Sequence, residues 1–308
     1  MKIVFMGTPD FAVYSLEALI GAGHDVVCVV TQPDRQKGRG KEFSFCPVKE
    51  CAVKHGIDVF QPAKIKDPEA VSELSKYEAD IFVVAAFGQI LSEEILNMPR
   101  YGCINIHASL LPHLRGAAPI QWSILNGDKE TGVSIQRMEK GLDTGDILIK
   151  EAIPIEDDET GNSLFDKLMI LGGKLVVRVL PMIEDGSVTY EKQDETKATY
   201  ASKITKEMGL INWSDDADRI ERYVRGLNSW PSAYTYVDGK MLKIWGARVT
   251  EDDGSAAPGT VTSVKSSSFT VKTGSGSLEI TELQIEGKKR MNAGDFLRGY
   301  KIEAGMKL

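Results

Sequence analysis

The sequence predicts an α/β domain followed by a small all-β domain, and three observations carry that expectation. Apolar, strand-like runs alternate with helical periods over about the first 155 residues. Those runs are near-continuous in apolar residues, as expected of a largely parallel sheet covered by helices on both faces. Beyond residue 209 the chain changes to short alternating segments separated by turn signals, the spacing of a small antiparallel barrel. The expected architecture is a Rossmann-like, largely parallel sheet domain followed by an OB-like antiparallel β-barrel.

In chain order, strands are expected at 2–6, 25–31, 57–60, 80–86, 103–107, 132–138 and 147–155. Helices are expected between them at 11–22, 46–55, 68–77, 92–96 and 118–126. Residues 160–184 set Leu164, Phe165, Leu168, Leu171, Leu175, Val176, Val179 and Ile183 at helical spacing, so a long helix should pack on the sheet. The stretch 190–206 is polar without strong periodicity and has the character of a linker. A helix follows at 217–228, and then turn signals at Asp238-Gly239, Asp253-Gly254, Pro258-Gly259 and Gly274-Ser275-Gly276 punctuate the short strands. The expected division is therefore a catalytic domain at 1–189, a linker at 190–208 and a second domain at 209–308.

Composition narrows the function class. A length of 308 residues suits two domains, at roughly 100–200 residues each. The 42% hydrophobic and 26% charged content is that of an ordinary soluble protein, and no apolar run approaches the roughly 20 residues of a membrane helix. The chain starts directly in a strand pattern, so no signal peptide is expected, and the expected compartment is the cytoplasm. Cys28, Cys46, Cys51 and Cys103 lack zinc-type pairing and suit reduced structural thiols. The net charge of −7 argues against a wholly basic nucleic-acid binder. Charge is unevenly spread, with 14 Lys+Arg against 13 Asp+Glu in residues 209–308. Between Thr31 and Lys49, Arg35, Lys37, Arg39, Lys41 and Lys49 face only Asp34 and Glu42, so a nucleic-acid partner would be met by patches.

Two nucleotide motifs are absent. The first turn, Met6-Gly7-Thr8-Pro9-Asp10-Phe11, has one glycine of a dinucleotide fingerprint, and Pro9 lacks an N–H for a phosphate cradle. Gly38-Arg39-Gly40-Lys41 has the wrong glycine spacing for a P-loop and is followed by Glu42.

The chemistry concentrates in Asn105-Ile106-His107 and the loop that Pro112 opens. Side chains two apart on a strand share a face, so Asn105 and His107 project together at its carboxyl end, where open α/β sheets bind ligands. An amide that can donate to an oxyanion beside a proton-carrying imidazole suits acyl transfer. His24 and His55 look like capping or surface residues, and His113, after Pro112, is expected to be solvated. In Gly141-Leu142-Asp143-Thr144-Gly145-Asp146, spacing leaves Asp143 and Asp146 nearly equal candidates. Asp146 abuts the next strand and is the more natural turn former, which favours Asp143 as the functional carboxylate.

The combination Asn105-x-His107, Ser109-Leu110-Leu111-Pro112, Arg115-Gly116 and Leu142-Asp143-Thr144-Gly145 resembles the formyltransferases that use 10-formyltetrahydrofolate. Met6 to Phe11, Gln32-Pro33-Asp34 with Lys37 to Lys41, and Arg115 to Gln121 resemble the branch whose acceptor is initiator methionyl-tRNA. The similarity spans essentially the whole chain. Arg225 to Ala233 is similar to that branch's second domain, but with Ser229 and Ser232 where Pro and Gly are common, a departure that bears on a turn.

The resemblance implies direct attack of an amine on the formyl carbon, with Asn105, His107 and Asp143 as the catalytic residues and no metal. It further implies that Phe87, Gly88, Gln89, Ile90 and Leu91 line the pterin pocket, and that Ser109, Leu110, Leu111 and Pro112 form the wall nearest the formyl group. It assigns Arg35, Lys37, Arg39 and Lys41 to the tRNA acceptor end. Lys288, Lys289 and Arg290, with Arg298 and Lys301, could hold the tRNA backbone. A monomer is expected. The alternative enzyme transfers formyl to an amino-sugar nucleotide or another small amine such as glycinamide ribonucleotide. A formate-releasing hydrolase and a non-catalytic folate or RNA module are the other readings; a module would be expected to lose one of the three polar residues.

Overall fold

The computed structural model describes residues 1–37, 42–251 and 254–308. They form two compact units. The first comprises Met1–Pro119, Glu130–Pro154 and Phe165–Ala201, and the second Ile120–Lys129, Ile155–Leu164 and Ser202–Leu308.

The first unit is built on seven strands: β1 (Lys2–Gly7), β2 (Asp25–Val30), β3 (Val59–Phe60), β4 (Ile81–Ala85), β5 (Cys103–His107), β6 (Glu130–Arg137) and β7 (Ile147–Pro154). Their spatial order is β7-β6-β5-β4-β1-β2-β3. The five strands from β5 to β3 pair in parallel, and β6 and β7 extend the sheet antiparallel. Ile3 to Met6 and the whole of β4 are buried, which is why their sequences are continuously apolar. The chain begins in mid-sheet, runs outward through β2 and β3, and returns to β4 on the other side of β1. That reversal opens a crevice at the carboxyl ends of β1 and β4.

Helices cover both faces. Val4, Met6, Val30, Phe82 and Val84 on one face pack with Val71 and Leu74 of the helix Pro68–Ser75. On the other, the long helix Gly161–Glu184 approaches the sheet closely from Phe165 onward. A Cβ on Gly172 would lie 2.8 Å from Cγ2 of Ile106, so the contact is made by helix backbone. Phe165 meets Phe11 edge to face at 5.6 Å.

The second unit contains an antiparallel sheet of β8 (Ala233–Val237), β9 (Lys240–Thr250), β10 (Val261–Val264), β11 (Phe269–Lys272) and β12 (Ser277–Ile285), ordered β8-β9-β12-β11-β10. Met291–Asn292 also pairs with β12. Its core joins Leu242, Ile244, Phe269, Leu278 and Leu283 to Ile220 and Val224 of the helix Ala217–Gly226. Asp238 and Gly239, at φ 48° and 74°, turn β8 into β9 with the left-handed pair that a tight hairpin needs. Ser232 sits at φ 73°, where a glycine is at ease, and its hydroxyl donates to the carbonyl of Ser229 at 2.9 Å.

The polar stretch 190–208 is divided between the units. Up to Ala201 it is hydrogen-bonded into the first: Tyr200–Ala201 pairs in parallel with Arg115–Gly116, and Ile147 and Glu191 exchange backbone hydrogen bonds. Its partners are backbone groups and polar side chains, with no apolar face to cover, so no hydrophobic period marks it.

Gly7 is fixed by space. An added Cβ would lie 2.6 Å from Ala12 Cβ and 2.9 Å from the Ala85 carbonyl oxygen. Gly7→Ala is expected to lower stability by about 1–3 kcal/mol in denaturant unfolding. Gly21→Ala, where an added Cβ would meet nothing within 4 Å beyond its own helix backbone and chain neighbours, should be neutral or stabilising by up to about 1 kcal/mol.

Candidate active site

Strand β5 delivers the site. Asn105 and His107 lie on one face of the strand, and the loop that follows β6 brings a single carboxylate to both. Asp143 Oδ1 lies 3.4 Å from Asn105 Nδ2, and its Oδ2 lies 3.6 Å from His107 Nδ1. The same carboxylate accepts 2.7 Å from Gln136 Nε2 at Oδ1 and 2.9 Å from the Gly116 backbone N–H at Oδ2. Asp146 points elsewhere, towards Lys192 at 3.9 Å.

His107 is buried, with 5% of its surface exposed. Its Nε2–H donates to the Leu114 carbonyl oxygen at 2.9 Å, since a carbonyl can only accept. That hydrogen bond turns Nδ1 towards Asp143. The ring therefore has an acceptor at each nitrogen. Both acceptors come from residues in left-handed backbone, Leu114 at φ 58° and Asp143 at φ 53°. Ala86, at the end of β4, is a third such residue, at φ 47°. Non-glycine residues in that region cost of order 1–3 kcal/mol and persist where the surroundings over-determine them.

The surroundings here are a buried arginine and a distant segment. Arg115 is fully buried. Its guanidinium donates to Gln193 Oε1 from Nε at 3.0 Å and from Nη2 at 2.8 Å, and to Glu195 from Nη1 at 2.9 Å and Nη2 at 2.7 Å. Arg115 thereby holds the Glu195 carboxyl below its usual range. The stability this adds is present at neutral pH and lost on acidification, and it is screened because the Glu195 side chain is 67% exposed.

The structure places the other predicted residues as follows. Phe87 and Leu91 are core side chains, whereas Ile90 is 86% exposed. The Phe87 carbonyl accepts from Gln32 Nε2 at 3.1 Å and Thr8 Oγ1 at 3.3 Å, and Gly88 has φ 84°. Gln89 is tied to the Ile65 N–H and the Pro62 carbonyl. Ser109 is buried with its hydroxyl donating to the His113 carbonyl at 2.5 Å, Leu111 is buried, and Leu110 and Pro112 are half-buried. His113, expected to be solvated, is half-buried with Nδ1 2.8 Å from Thr199 Oγ1; its partner lies 86 residues away, beyond the reach of a local reading.

Of the basic run, Arg35–Lys37 pairs with Glu42–Ser44 as a short hairpin, while Arg39 and Lys41 lie outside the described residues. Lys49 is taken up by Asp34, at 2.5 Å, and Gln61, at 2.7 Å. In the second unit Lys288 and Lys289 are exposed in the chain that follows β12, and Arg290 makes a two-pronged ion pair with Glu282 while lying 4.8 Å over the Trp245 ring.

Gln136 and Gln193 also belong to the site and carry no local sequence signal. Gln136 stands opposite Asn105 across the β5–β6 ladder, a register that only strand pairing reveals. Among the described residues, the group that could hold a metal is Glu17, Cys51 and His55, and it includes none of the site residues. Cys103, two residues before Asn105, is buried and its thiol is pushed up to about 12 by desolvation. It should stay unlabelled by iodoacetamide at pH 8 in the folded protein, with half-buried Cys46 reacting first; prompt loss of activity with Cys103 modified would contradict this.

The sequence model of the family described as formyl transferase matches residues 1–180, and the one described as formyl transferase, C-terminal domain, matches 203–301. Residues 181–202 fall between the two. The methionyl-tRNA formyltransferase of Agathobacter rectalis is 54% identical over 305 residues, covering 99% of this chain and 98% of the relative. That of Lachnospira eligens is 51% identical over 313 residues, covering 100% and 99%. Among solved structures, WlaRD, a sugar 3N-formyl transferase crystallised with dTDP and 5-N-formyl-THF, shares the fold at a TM-score of 0.67 and 20% identity, covering 94% of this chain and 99% of that one.

Proposed function

The chain belongs to the formyl transferase family, and on that premise we propose that it moves the formyl group of 10-formyltetrahydrofolate to the α-amine of initiator methionyl-tRNA. The observation that carries the reading is one carboxylate, Asp143, shared by an amide and an imidazole at the carboxyl end of β5. The acceptor follows from the near full-length similarity to the methionyl-tRNA enzymes; the sugar enzyme supports the fold alone at its 20% identity.

In this reading the amine attacks the formyl carbon and a tetrahedral centre forms. Asn105 donates to the oxygen that becomes negative. His107 takes the proton released by the amine and returns it to N10 of the folate as the carbon–nitrogen bond breaks, giving tetrahydrofolate and the formylated amine. With Nε2–H donating to Leu114 O, Nδ1 is the nitrogen left to take the proton, and it faces the Asp143 carboxylate. The amine is itself the nucleophile, so no side chain need attack. Phe87 to Leu91 line the pterin pocket and Ser109 to Pro112 the wall nearest the formyl group. Arg35, Lys37, Arg39 and Lys41 meet the acceptor end of the tRNA, and Lys288, Lys289 and Arg290 its backbone. The enzyme works as a monomer in the cytoplasm. No helix among the described residues is long and apolar enough to cross a membrane.

Single-turnover transfer at saturating folate and tRNA tests the site. Asn105→Ala should slow transfer by about 10²–10³ and His107→Ala by about 10²–10⁴. Wild-type rates in both would reject the assignment. Binding of the tRNA tests the basic run: if Arg39 and Lys41 meet phosphates, changing both to Ala should flatten the dependence of log affinity on log salt by about two units. An unchanged slope would move the contact elsewhere.

A further inference from the structure

We infer that the segment from Gln193 to Ala201 is a positioning element of the active site, with Gln193 its principal residue. The inference rests on the reading of Asn105, His107 and Asp143 given above. Each acceptor of the His107 ring is supplied by a residue in left-handed backbone, and this segment ties down both.

At one end, the side-chain amide of Gln193 donates to the Asp143 carbonyl at 2.8 Å and to the Gly145 carbonyl at 2.7 Å. Its oxygen is held by Nε and Nη2 of the buried Arg115, so the amide cannot turn over without losing all four contacts. At the other end, Thr199 Oγ1 accepts from the Leu114 N–H at 2.8 Å, and its carbonyl accepts from the Arg115 N–H, also at 2.8 Å. Ala201 continues the grip by accepting from Ala117 N–H at 2.9 Å. Arg115 also holds Glu195, which fastens the middle of the segment.

The physical logic is one of over-determination. Asp143 and Leu114 are close to His107 only while their φ angles stay positive, and neither backbone prefers that region. Relaxing Asp143 would swing its carboxylate away from Nδ1, and relaxing Leu114 would withdraw the carbonyl from Nε2. The segment reaches no reacting atom. Its effect is to fix both partners of one imidazole, and misplacement by about 1 Å at such a group can cost of order 10²-fold in rate.

The test is a double-mutant cycle in the full chain, read by single-turnover transfer from 10-formyltetrahydrofolate to charged initiator methionyl-tRNA. Gln193→Glu keeps the side chain's length and the oxygen that Arg115 grips, and replaces the donating nitrogen by an oxygen that the Asp143 and Gly145 carbonyls repel. It should slow transfer by about 10- to 100-fold with the half-saturating folate and tRNA concentrations unchanged. In combination with Asp143→Asn it should add little, because the carboxylate it positions is already gone. A wild-type rate for Gln193→Glu, or a double variant that loses the full product of the two single losses, would overturn the inference. A wild-type rate for Asp143→Asn would instead overturn the reading of the site, and the inference with it. Should Gln193→Glu fail to fold, Thr199→Val against His107→Asn poses the same question from the other end, with the same outcomes deciding it. A merely structural segment would lower stability and leave the two losses multiplicative.

Discussion

A single imidazole with an acceptor at each nitrogen sets the demands that the first unit meets. His107 needs a carbonyl at Nε2 and a carboxylate near Nδ1. Neither can be supplied by the strand that carries the ring, because neighbours on a strand point along or away from it. Both come from loops, and each loop must leave ordinary backbone geometry to arrive. Loops held this way need anchors of their own, and the buried Arg115 with Gln193 and Thr199 provides them.

The sheet explains why the ring can be so placed. β5 is flanked by β4, which pairs with it as far as Asn105, and by β6, which pairs with it through His107. Antiparallel β6 turns back after passing Asn105, which brings Gln136 opposite it and starts the loop that carries Asp143. Behind the strand, the glycines of the long helix let backbone meet Ile106 and Tyr14 at close range. Rigid strands present the amide and imidazole; loops complete the charge arrangement.

Much of this was legible in the sequence, for reasons that can be named. β1 and β4 are buried on both faces and so are continuously apolar, which separates them from alternating strands. The long helix declares itself by eight apolar residues at helical spacing. Asn105 and His107 needed only the two-residue period of a strand. Asp143 shares its loop with Asp146, and only turn chemistry and family resemblance separate the two in the sequence. What stayed hidden was set by distant pairing. Arg115 was visible in a motif, but its partners lie 78 and 80 residues later in a polar stretch without period. The same stretch carries Thr199, the partner of His113, and so it looked like a linker. Gln136 was hidden by register rather than by composition.

The most direct measurement is single-turnover formyl transfer by the unaltered chain, with 10-formyltetrahydrofolate as donor and three acceptors compared: charged initiator methionyl-tRNA, free methionine and an amino-sugar nucleotide. Fast transfer to the charged tRNA is expected, with none of comparable rate to the others. Fast transfer to the amino sugar, with the tRNA left unformylated, would contradict it.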